Sequence, residues 1–173
     1  MRRWTGAIVA AACVLLPSAG EASGPAAREV RVTDLPALER AIEGYRGQAL
    51  LVNFWASWCE PCLDELPELV QVAGEFRRRG VVVLTVSYDL LTGGGPREDV
   101  VRDVEAFVAE QRMDLPVFIY DGPDQEINRR FGLPEVVPVT IAIDKTGKVV
   151  DRHVGRATKA RFGVLIERAL RAR

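Results

Sequence analysis

Cysteine and histidine are scarce in this chain of 173 residues, which contains three cysteines and one histidine, His153. Three cysteines are too few for a domain built on a disulfide framework, which needs several pairs. A zinc site with four ligands would have to recruit Cys13 or carboxylates. The composition therefore excludes a disulfide-rich scaffold and argues against structural zinc, and we expect His153 at the surface or on an edge strand.

An excess of charge of either sign is also missing. The 23 basic and 24 acidic residues leave a net charge of −1. Proteins that bind nucleic acid usually have a basic surface, so we expect no nucleic-acid partner. Hydrophobic residues make up 48% and charged residues 27% of the chain, as in ordinary globular proteins. The length suits one domain with a sizeable core.

The apolar segment near the N-terminus, residues 4–16, is too short to span a membrane comfortably. It follows two arginines and precedes small residues, which is the layout of a secretory signal peptide. We predict a signal peptide over residues 1–22, cut near residues 20–22, and a linker over residues 23–29. Two alternatives stay open: an uncleaved N-terminal anchor, and lipidation at Cys13, whose preceding residues match a lipoprotein site poorly.

Export bears on the chemistry of the remaining cysteines. Disulfides persist in oxidising compartments outside the cytoplasm. If Cys13 is removed with the signal peptide, Cys59 and Cys62 are the only cysteines left. A single pair of cysteines with two intervening residues is better suited to thiol-disulfide exchange than to a structural framework of disulfides.

The most informative stretch runs from Leu50 to Cys62. Residues 50–55 form a short apolar run typical of a buried central strand, and residues 63–72 place apolar residues at helical spacing. The two cysteines therefore stand where a strand ends and a helix begins. The free N–H groups and positive dipole end of a helix N-terminus stabilise a thiolate, the nucleophile of disulfide exchange.

The spacing of the cysteines fits a disulfide, since residues one helical turn apart have Cα atoms roughly 5–6 Å apart. Pro61 fits the first helical turn, where its missing N–H costs little. We predict that Cys59, at the tip of the turn, is the exposed attacking thiol and that Cys62 is the resolving thiol. A purely structural disulfide is the alternative.

Hydrophobic periodicity predicts alternating strands and helices along the rest of the chain. This alternation implies a three-layer α/β sandwich with a mixed sheet. A helix capped by Asp34 carries Pro36 in its first turn, and residues 91–96 are expected to form a mobile loop. The predicted strands are 30–32, 50–55, 81–87, 115–120, 139–143 and 148–154, and the later helices are an active-site helix ending at Gly80, then 97–112, 125–131 and 158–171.

Residues 54–62 (FWASWCEPC) resemble the active-site signature of the thioredoxin superfamily. Asn53 before them and residues 64–67 (DELP) after them resemble more specifically the extracytoplasmic TlpA/ResA/CcmG-type thiol-disulfide oxidoreductases. Ordinary thioredoxins carry an acidic residue where Asn53 stands. The resemblance covers roughly residues 48–155. It implies a thioredoxin-like fold over residues 30–173, with the helix at 97–112 as the TlpA-type central insertion and a helix kink at Pro67.

The resemblance also implies roles for individual residues. Pro138 occupies the place of the cis-proline that faces the two cysteines, and Val137 would present its backbone to an extended substrate segment. Glu65 would tune the thiols and transfer protons. The alternatives are an ordinary trans proline at position 138 and a solvated Glu65 that only complements the helix dipole.

The surface around the cysteines is expected to bind substrate. Trp58 is expected to contact partner proteins, whereas Trp55 is equally consistent with a place in the core. Glu60 puts a negative charge beside Cys59, which disfavours the thiolate and favours the reducing direction. The predicted substrate-binding residues are Trp58, Glu60, Pro61, Val137 and Pro138.

The sequence thus predicts an extracytoplasmic protein-disulfide reductase, monomeric and without a metal or organic cofactor. The resemblance implies protein substrates such as apocytochrome c or the cysteines of a copper site, and a membrane thiol-transfer protein as reductant. A Sco-type copper chaperone is one rival, but that family resembles Cys-x-x-x-Cys with a distant His. A peroxiredoxin-like peroxidase needs a Pro/Thr pattern that does not precede Cys59. The third rival is a holdase chaperone without redox chemistry.

Overall fold

The computed structural model describes residues 29–92 and 94–172. The predicted signal peptide, the lipidation alternative at Cys13 and most of the predicted linker lie outside these residues. Among the described residues, no helix is both long and apolar enough to cross a membrane.

The described chain forms six strands and five α-helices that alternate for most of its length. Two short 3₁₀ turns, Arg77–Arg79 and Asp89–Thr92, flank the third strand. The elements are β1 Val30–Thr33, α1 Leu35–Glu43, β2 Ala49–Trp55, α2 Glu60–Phe76, β3 Val81–Ser87, α3 Arg97–Glu110, β4 Val117–Tyr120, α4 Asp124–Phe131, β5 Val139–Ile143, β6 Val149–Val154 and α5 Lys159–Arg171.

The strands form one mixed sheet in the order β1-β4-β3-β2-β5-β6. The first four strands in that order are parallel, whereas β5 runs antiparallel to both β2 and β6. Every residue of β2 is buried. A parallel strand is stable at this place because helices cover both faces of the sheet, which explains the apolar run at residues 50–55.

Alternate side chains of β2 define the two faces of the sheet. Phe54 packs against Phe131 of α4, with ring centroids 5.9 Å apart. Trp55 points the other way and packs against Phe107 of α3, with centroids 5.3 Å apart. An ion pair joins α1 to α4 on the first face, while α2 and α5 contact each other on the second. The predicted three-layer α/β sandwich is therefore confirmed, and Trp55 belongs to the core.

Local chemistry explains where several helices begin and end. The Asp34 carboxylate accepts a hydrogen bond from the Ala37 N–H at 2.8 Å, and this cap starts α1 as predicted. Thr158 caps α5 in the same way. Gly80 ends the 3₁₀ turn after α2 with φ 72°, a left-handed conformation that glycine adopts without steric cost.

The differences from the sequence predictions are local. Strand β4 starts at Val117 and not at residue 115, since Pro116 has no N–H to give to a neighbouring strand. The expected loop at 91–96 begins as the 3₁₀ turn Asp89–Thr92, in which the Thr92 hydroxyl donates to the Asp89 carbonyl. Helix α3 ends two residues before the predicted position.

Candidate active site

The cysteine pair lies at the junction between β2 and α2. Cys59 is the N-cap of α2, and its carbonyl accepts hydrogen bonds from the N–H groups of Cys62 at 2.9 Å and Leu63 at 3.1 Å. Pro61 occupies the first turn, where no N–H partner is required. The strand-to-helix junction predicted from residues 50–62 is therefore present.

Cys59 and Cys62 form a disulfide with an S–S distance of 2.04 Å and a Cα–Cα distance of 5.2 Å. Cys62 is completely buried, and only 5% of Cys59 is exposed. The prediction that Cys59 is an exposed residue is therefore wrong for the disulfide form, because its sulfur is bonded to the buried Cys62. Cys59 remains the more accessible of the two, as expected of the attacking cysteine.

A groove that begins at Trp58, the residue before Cys59, is lined by apolar, polar and acidic side chains. Trp58 is 56% exposed and forms part of its wall. The Val137–Pro138 peptide bond is cis, and Pro138 is buried while Val137 lines the groove. Glu60 and Pro61 are exposed on the same helix end but do not line the groove. Its volume is about 200 Å³, and the other lining residues are Tyr88, Leu91, Thr92, Asp124, Asn128, Glu135 and Val136.

Glu65 lies one turn after Cys62 on α2 and is completely buried. Its Oε1 accepts a hydrogen bond from Asn53 Nδ2 at 2.7 Å, and its Oε2 accepts one from the Ala157 N–H at 2.6 Å. Burial raises the pKa of Glu65 to about 6, although both hydrogen bonds and the charge of Arg156 oppose the rise. Glu65 is thus not the solvated helix-dipole residue of the alternative reading.

Beneath Glu65 lies a row of three buried polar residues, Asn53, Thr85 and Thr140, which the sequence did not reveal. Asn53 pairs in register with Thr85 on β3 and with Thr140 on β5. Its Nδ2 donates to Thr140 Oγ1 at 3.0 Å as well as to Glu65. The alternation of β2 identifies Asn53 as polar and inward, but the identity of its neighbours depends on the order of the strands.

Asp89 is a second buried carboxylate that the sequence analysis missed. It accepts hydrogen bonds from the Ser57 N–H at 3.1 and 3.2 Å and from the hydroxyls of Ser57 and Ser87. Asp89 therefore ties the segment that precedes Cys59 to the end of β3. The sequence did contain an indication of this contact, because Asp89 and Ser57 each follow a predicted strand. The carboxyl ends of neighbouring parallel strands meet at one edge of a sheet.

Charged side chains cover the outer side of α2 near Glu65. Arg156, in the segment between β6 and α5, lies 3.9 Å from Asp64 and 3.8 Å from Glu68.

His153 lies on the edge strand β6, and Arg161 Nε donates to its Nδ1 at 3.2 Å. Within residues 29–92 and 94–172, no group of three or more His, Cys, Asp or Glu side chains is arranged to hold a metal ion.

Comparison with known protein sequences identifies both a family and individual relatives of this chain. Residues 24–152 match the AhpC/TSA family. The thiol-disulfide oxidoreductase ResA of Geobacillus thermodenitrificans is 33% identical over 138 residues, which cover 80% of this chain and 72% of that protein.

Solved structures show the same similarity. A thiol:disulfide interchange protein of the thioredoxin family from Chlorobium tepidum is 27% identical, with a TM-score of 0.59 over 73% of this chain and 83% of that one. The pneumococcal exposed lipoprotein thioredoxin Etrx1 from Streptococcus pneumoniae is 28% identical, with a TM-score of 0.60 over 73% and 88% of the two chains. The chain therefore belongs to the AhpC/TSA family of thioredoxin-like proteins and, within it, to the ResA-type thiol-disulfide oxidoreductases.

Proposed function

We propose that this thiol-disulfide oxidoreductase is an extracytoplasmic protein-disulfide reductase. The observation that supports this function most strongly is the Cys59–Cys62 disulfide at the N-terminus of α2, next to an exposed Trp58 and the cis Val137–Pro138 segment. An extended substrate segment placed against Val137 brings its own sulfur atoms to the helix N-terminus, where a thiolate is stabilised.

The first step starts from the reduced protein. The Cys59 thiolate attacks one sulfur of a substrate disulfide, and the substrate S–S bond breaks as the Cys59–substrate bond forms. The other substrate sulfur leaves as a thiolate and takes a proton from solvent. Cys59 takes this role because it is the more accessible cysteine of the pair.

The second step releases the substrate. Cys62 gives its proton to the Glu65 carboxylate, and the resulting thiolate attacks the Cys59 sulfur. The Cys59–Cys62 bond forms, the bond to the substrate breaks, and the second substrate sulfur leaves as a thiolate. Two electrons have then passed from the cysteine pair to the substrate. A pKa of about 6 lets Glu65 exchange protons near neutral pH.

The direction of the reaction is proposed from the charges around the pair. Glu60 directly follows Cys59 and is exposed. Its negative charge disfavours a thiolate at Cys59, and a less stabilised reduced form makes a stronger reductant. Acidic Asp124 and Glu135 line the groove, so a substrate segment with apolar and basic side chains fits it best.

Trapping the mixed disulfide tests this mechanism. We expect reduced protein carrying Cys62→Ser to accumulate a covalent adduct with a disulfide-bonded peptide, detected by mass spectrometry and reversed by dithiothreitol. The matched variant Cys59→Ser should trap little or none, because its remaining cysteine is completely buried. Equal trapping by both variants would contradict the assigned order of attack. Full activity without either cysteine would favour the holdase alternative.

The location and partners are part of the same proposal. Residues 1–22 have the layout of a signal peptide, and the pneumococcal relative is described as an exposed lipoprotein. We infer that the protein acts outside the cytoplasm as a monomer and needs no cofactor besides its cysteine pair. Its substrates would be apocytochrome c or copper-site cysteines, and a membrane thiol-transfer protein would re-reduce it. Fractionation of cells and the mass of the mature N-terminus test the location.

A peroxidase is the second candidate, because the AhpC/TSA family match permits it. The discriminating experiment oxidises the reduced protein with hydrogen peroxide and, separately, with a disulfide-bonded peptide. A reductase should react much faster with the peptide. Faster reaction with peroxide, together with formation of a sulfenic acid at Cys59, would favour the peroxidase.

A further inference from the structure

His153 lies at the edge of the sheet, next to the buried polar row beneath Glu65. Its register partner on β5 is Thr140, which in turn pairs with Asn53 on β2. Side chains that stand directly opposite each other on antiparallel strands share one face of the sheet. The imidazole of His153 therefore lies on the face that α2 and α5 cover, which is also the face of Glu65.

The two ring nitrogens of His153 have different partners, and these partners fix the tautomer. Arg161 Nε donates to Nδ1 at 3.2 Å. Because a guanidinium has no acceptor, Nδ1 carries no hydrogen. The ring hydrogen then lies on Nε2, which donates to the Arg156 carbonyl at 3.2 Å. A carbonyl can only accept, so both contacts agree with a single neutral form of the imidazole.

Arg161 on α5 is itself anchored to the edge strand. Its guanidinium donates to the Arg152 carbonyl at 3.1 Å and lies 3.5 Å from Asp151 Oδ2. Together with the bond to the imidazole, Arg161 contacts three successive residues of β6. The orientation of the His153 ring is therefore set by a side chain that is held in place.

The Arg156 carbonyl belongs to the same peptide unit as the Ala157 N–H. That N–H donates to Glu65 Oε2 at 2.6 Å. A peptide unit is planar, so its carbonyl and its N–H turn together. His153 and Glu65 therefore bind opposite ends of one rigid group, and a change in the hydrogen bond at one end alters the bond at the other.

The chain on either side of this peptide unit is held by other contacts. The Gly155 N–H donates to the carbonyl of the cis-proline Pro138 at 2.9 Å. The Thr158 hydroxyl caps α5 by accepting from the Arg161 N–H at 3.3 Å. The loss of the His153 contact should therefore change the orientation of the peptide unit and leave the surrounding fold in place.

We propose that His153 is a positioning residue for Glu65, because its Nε2–H fixes the peptide unit that directs the Ala157 N–H at the carboxylate. The inference rests on the proposed function, in which Glu65 takes the proton of Cys62. Only the ionised carboxylate can take that proton, and the hydrogen bond from Ala157 favours the ionised form. His153 thus acts on the proton transfer from the edge of the sheet.

Charged groups act on Glu65 as well. Arg156 favours its ionised form and Glu68 its protonated form, whereas Asn53 and Thr140 on the sheet side are uncharged. The other titratable or charged groups in the adjoining turns of α2, at the start of α5 and on β6 are Cys59, Cys62, Asp64, Lys159, Arg161, Asp151, Arg152 and His153. A test must therefore remove the hydrogen bond from His153 without altering these charges.

Two neutral substitutions separate the donor of His153 from its acceptor. Glutamine places its NH₂ group close to the position of a histidine Nε2, so His153→Gln keeps a donor for the Arg156 carbonyl. Asparagine reaches only as far as Nδ1, so His153→Asn keeps an acceptor for Arg161 and loses that donor. Neither variant has an imidazole, so no charge at position 153 contributes to the difference between them.

The experiment compares the titration of the Glu65 carboxyl in these variants by NMR of isotope-labelled protein with its disulfide formed. We expect the pKa of Glu65 to be about 0.5 to 1 higher in His153→Asn than in His153→Gln, the equivalent of one net hydrogen bond. The Ala157 amide signal should respond less to this titration in His153→Asn. Equal pKa values of Glu65 in the two variants would overturn the proposal.

A third variant guards against a folding defect specific to asparagine. His153→Ser is also too short to reach the Arg156 carbonyl, so it should reproduce the raised pKa of Glu65, and a value equal to that in His153→Gln would overturn the proposal. Urea unfolding checks that each variant is folded. These measurements need no substrate. A failed trapping experiment with Cys62→Ser therefore contradicts the proposed function and leaves this result intact.

Discussion

At the scale of single residues, Glu65 and Asp89 show how two buried carboxylates serve different ends. Glu65 accepts two hydrogen bonds, and burial dominates its pKa. Asp89 accepts hydrogen bonds from one N–H group and two hydroxyls, all from segments that lead into or flank the active site. The first arrangement suits proton transfer, and the second suits anchoring of a loop.

The raised pKa of Glu65 predicts how stability depends on pH. Between its ordinary value of 4.5 and about 6, the folded protein binds more protons than the unfolded chain. The free energy of unfolding should therefore fall as the pH rises through this window, by about 2 kcal/mol from this group. In Glu65→Gln that part of the slope should vanish, whereas Glu98→Gln, an exposed change on α3, should keep it. Urea unfolding of the disulfide form at pH 4 to 8 measures both. An unchanged slope in Glu65→Gln would contradict the assignment.

Asp89→Asn tests the anchor of the segment before Cys59. An asparagine keeps the shape but turns an NH₂ group towards donors, which leaves at least one buried group unpaired. We expect a loss of about 1 to 3 kcal/mol in the free energy of unfolding. Asp103→Asn, an exposed substitution on α3, should change it by less than about 0.5 kcal/mol. Urea denaturation compares the two, and equal effects would mean that Asp89 is not a structural anchor.

At the scale of elements, the hydrophobic pattern was sufficient to predict the strands and helices. It gave β3 and β5 with their observed ends and the N-cap of α1 at Asp34, because these depend on neighbours in the sequence. It misplaced the start of β4, where Pro116 has no N–H to give to a neighbouring strand, and placed the end of α3 two residues too late. Helix ends commonly differ from expectation by one or two residues.

The cap of α1 gives a prediction at this scale. Asp34→Ala removes the acceptor for the Ala37 N–H and should lower the free energy of unfolding by about 1 kcal/mol. Asp34→Asn keeps an acceptor and should lose much less. Because α1 lies on the sheet face opposite Glu65, neither variant should change the reduction potential of the disulfide. A change in potential on Asp34→Ala would show that the two faces are coupled.

At the scale of the whole molecule, the order of the strands brings the site together. Residues 54–62 predicted the redox pair and the thioredoxin-like fold. They could not predict that Thr85 and Thr140 flank Asn53, or that Ala157 meets Glu65 from a segment 92 positions away. Those contacts follow from strand order β3-β2-β5 and from the packing of α5 on α2. Neither the strand order nor the packing of these helices can be derived directly from the pattern of residue types along the chain.

The central claim is that the Cys59–Cys62 pair acts as a reductant, and its reduction potential tests that claim most directly. The protein would be equilibrated with dithiothreitol and glutathione buffers of known potential, and the oxidised fraction measured by alkylation and mass spectrometry. We predict a value near or below that of thioredoxin, about −270 mV. A value near −120 mV, typical of a strong oxidant, would contradict the reductase assignment and the role given to Glu60.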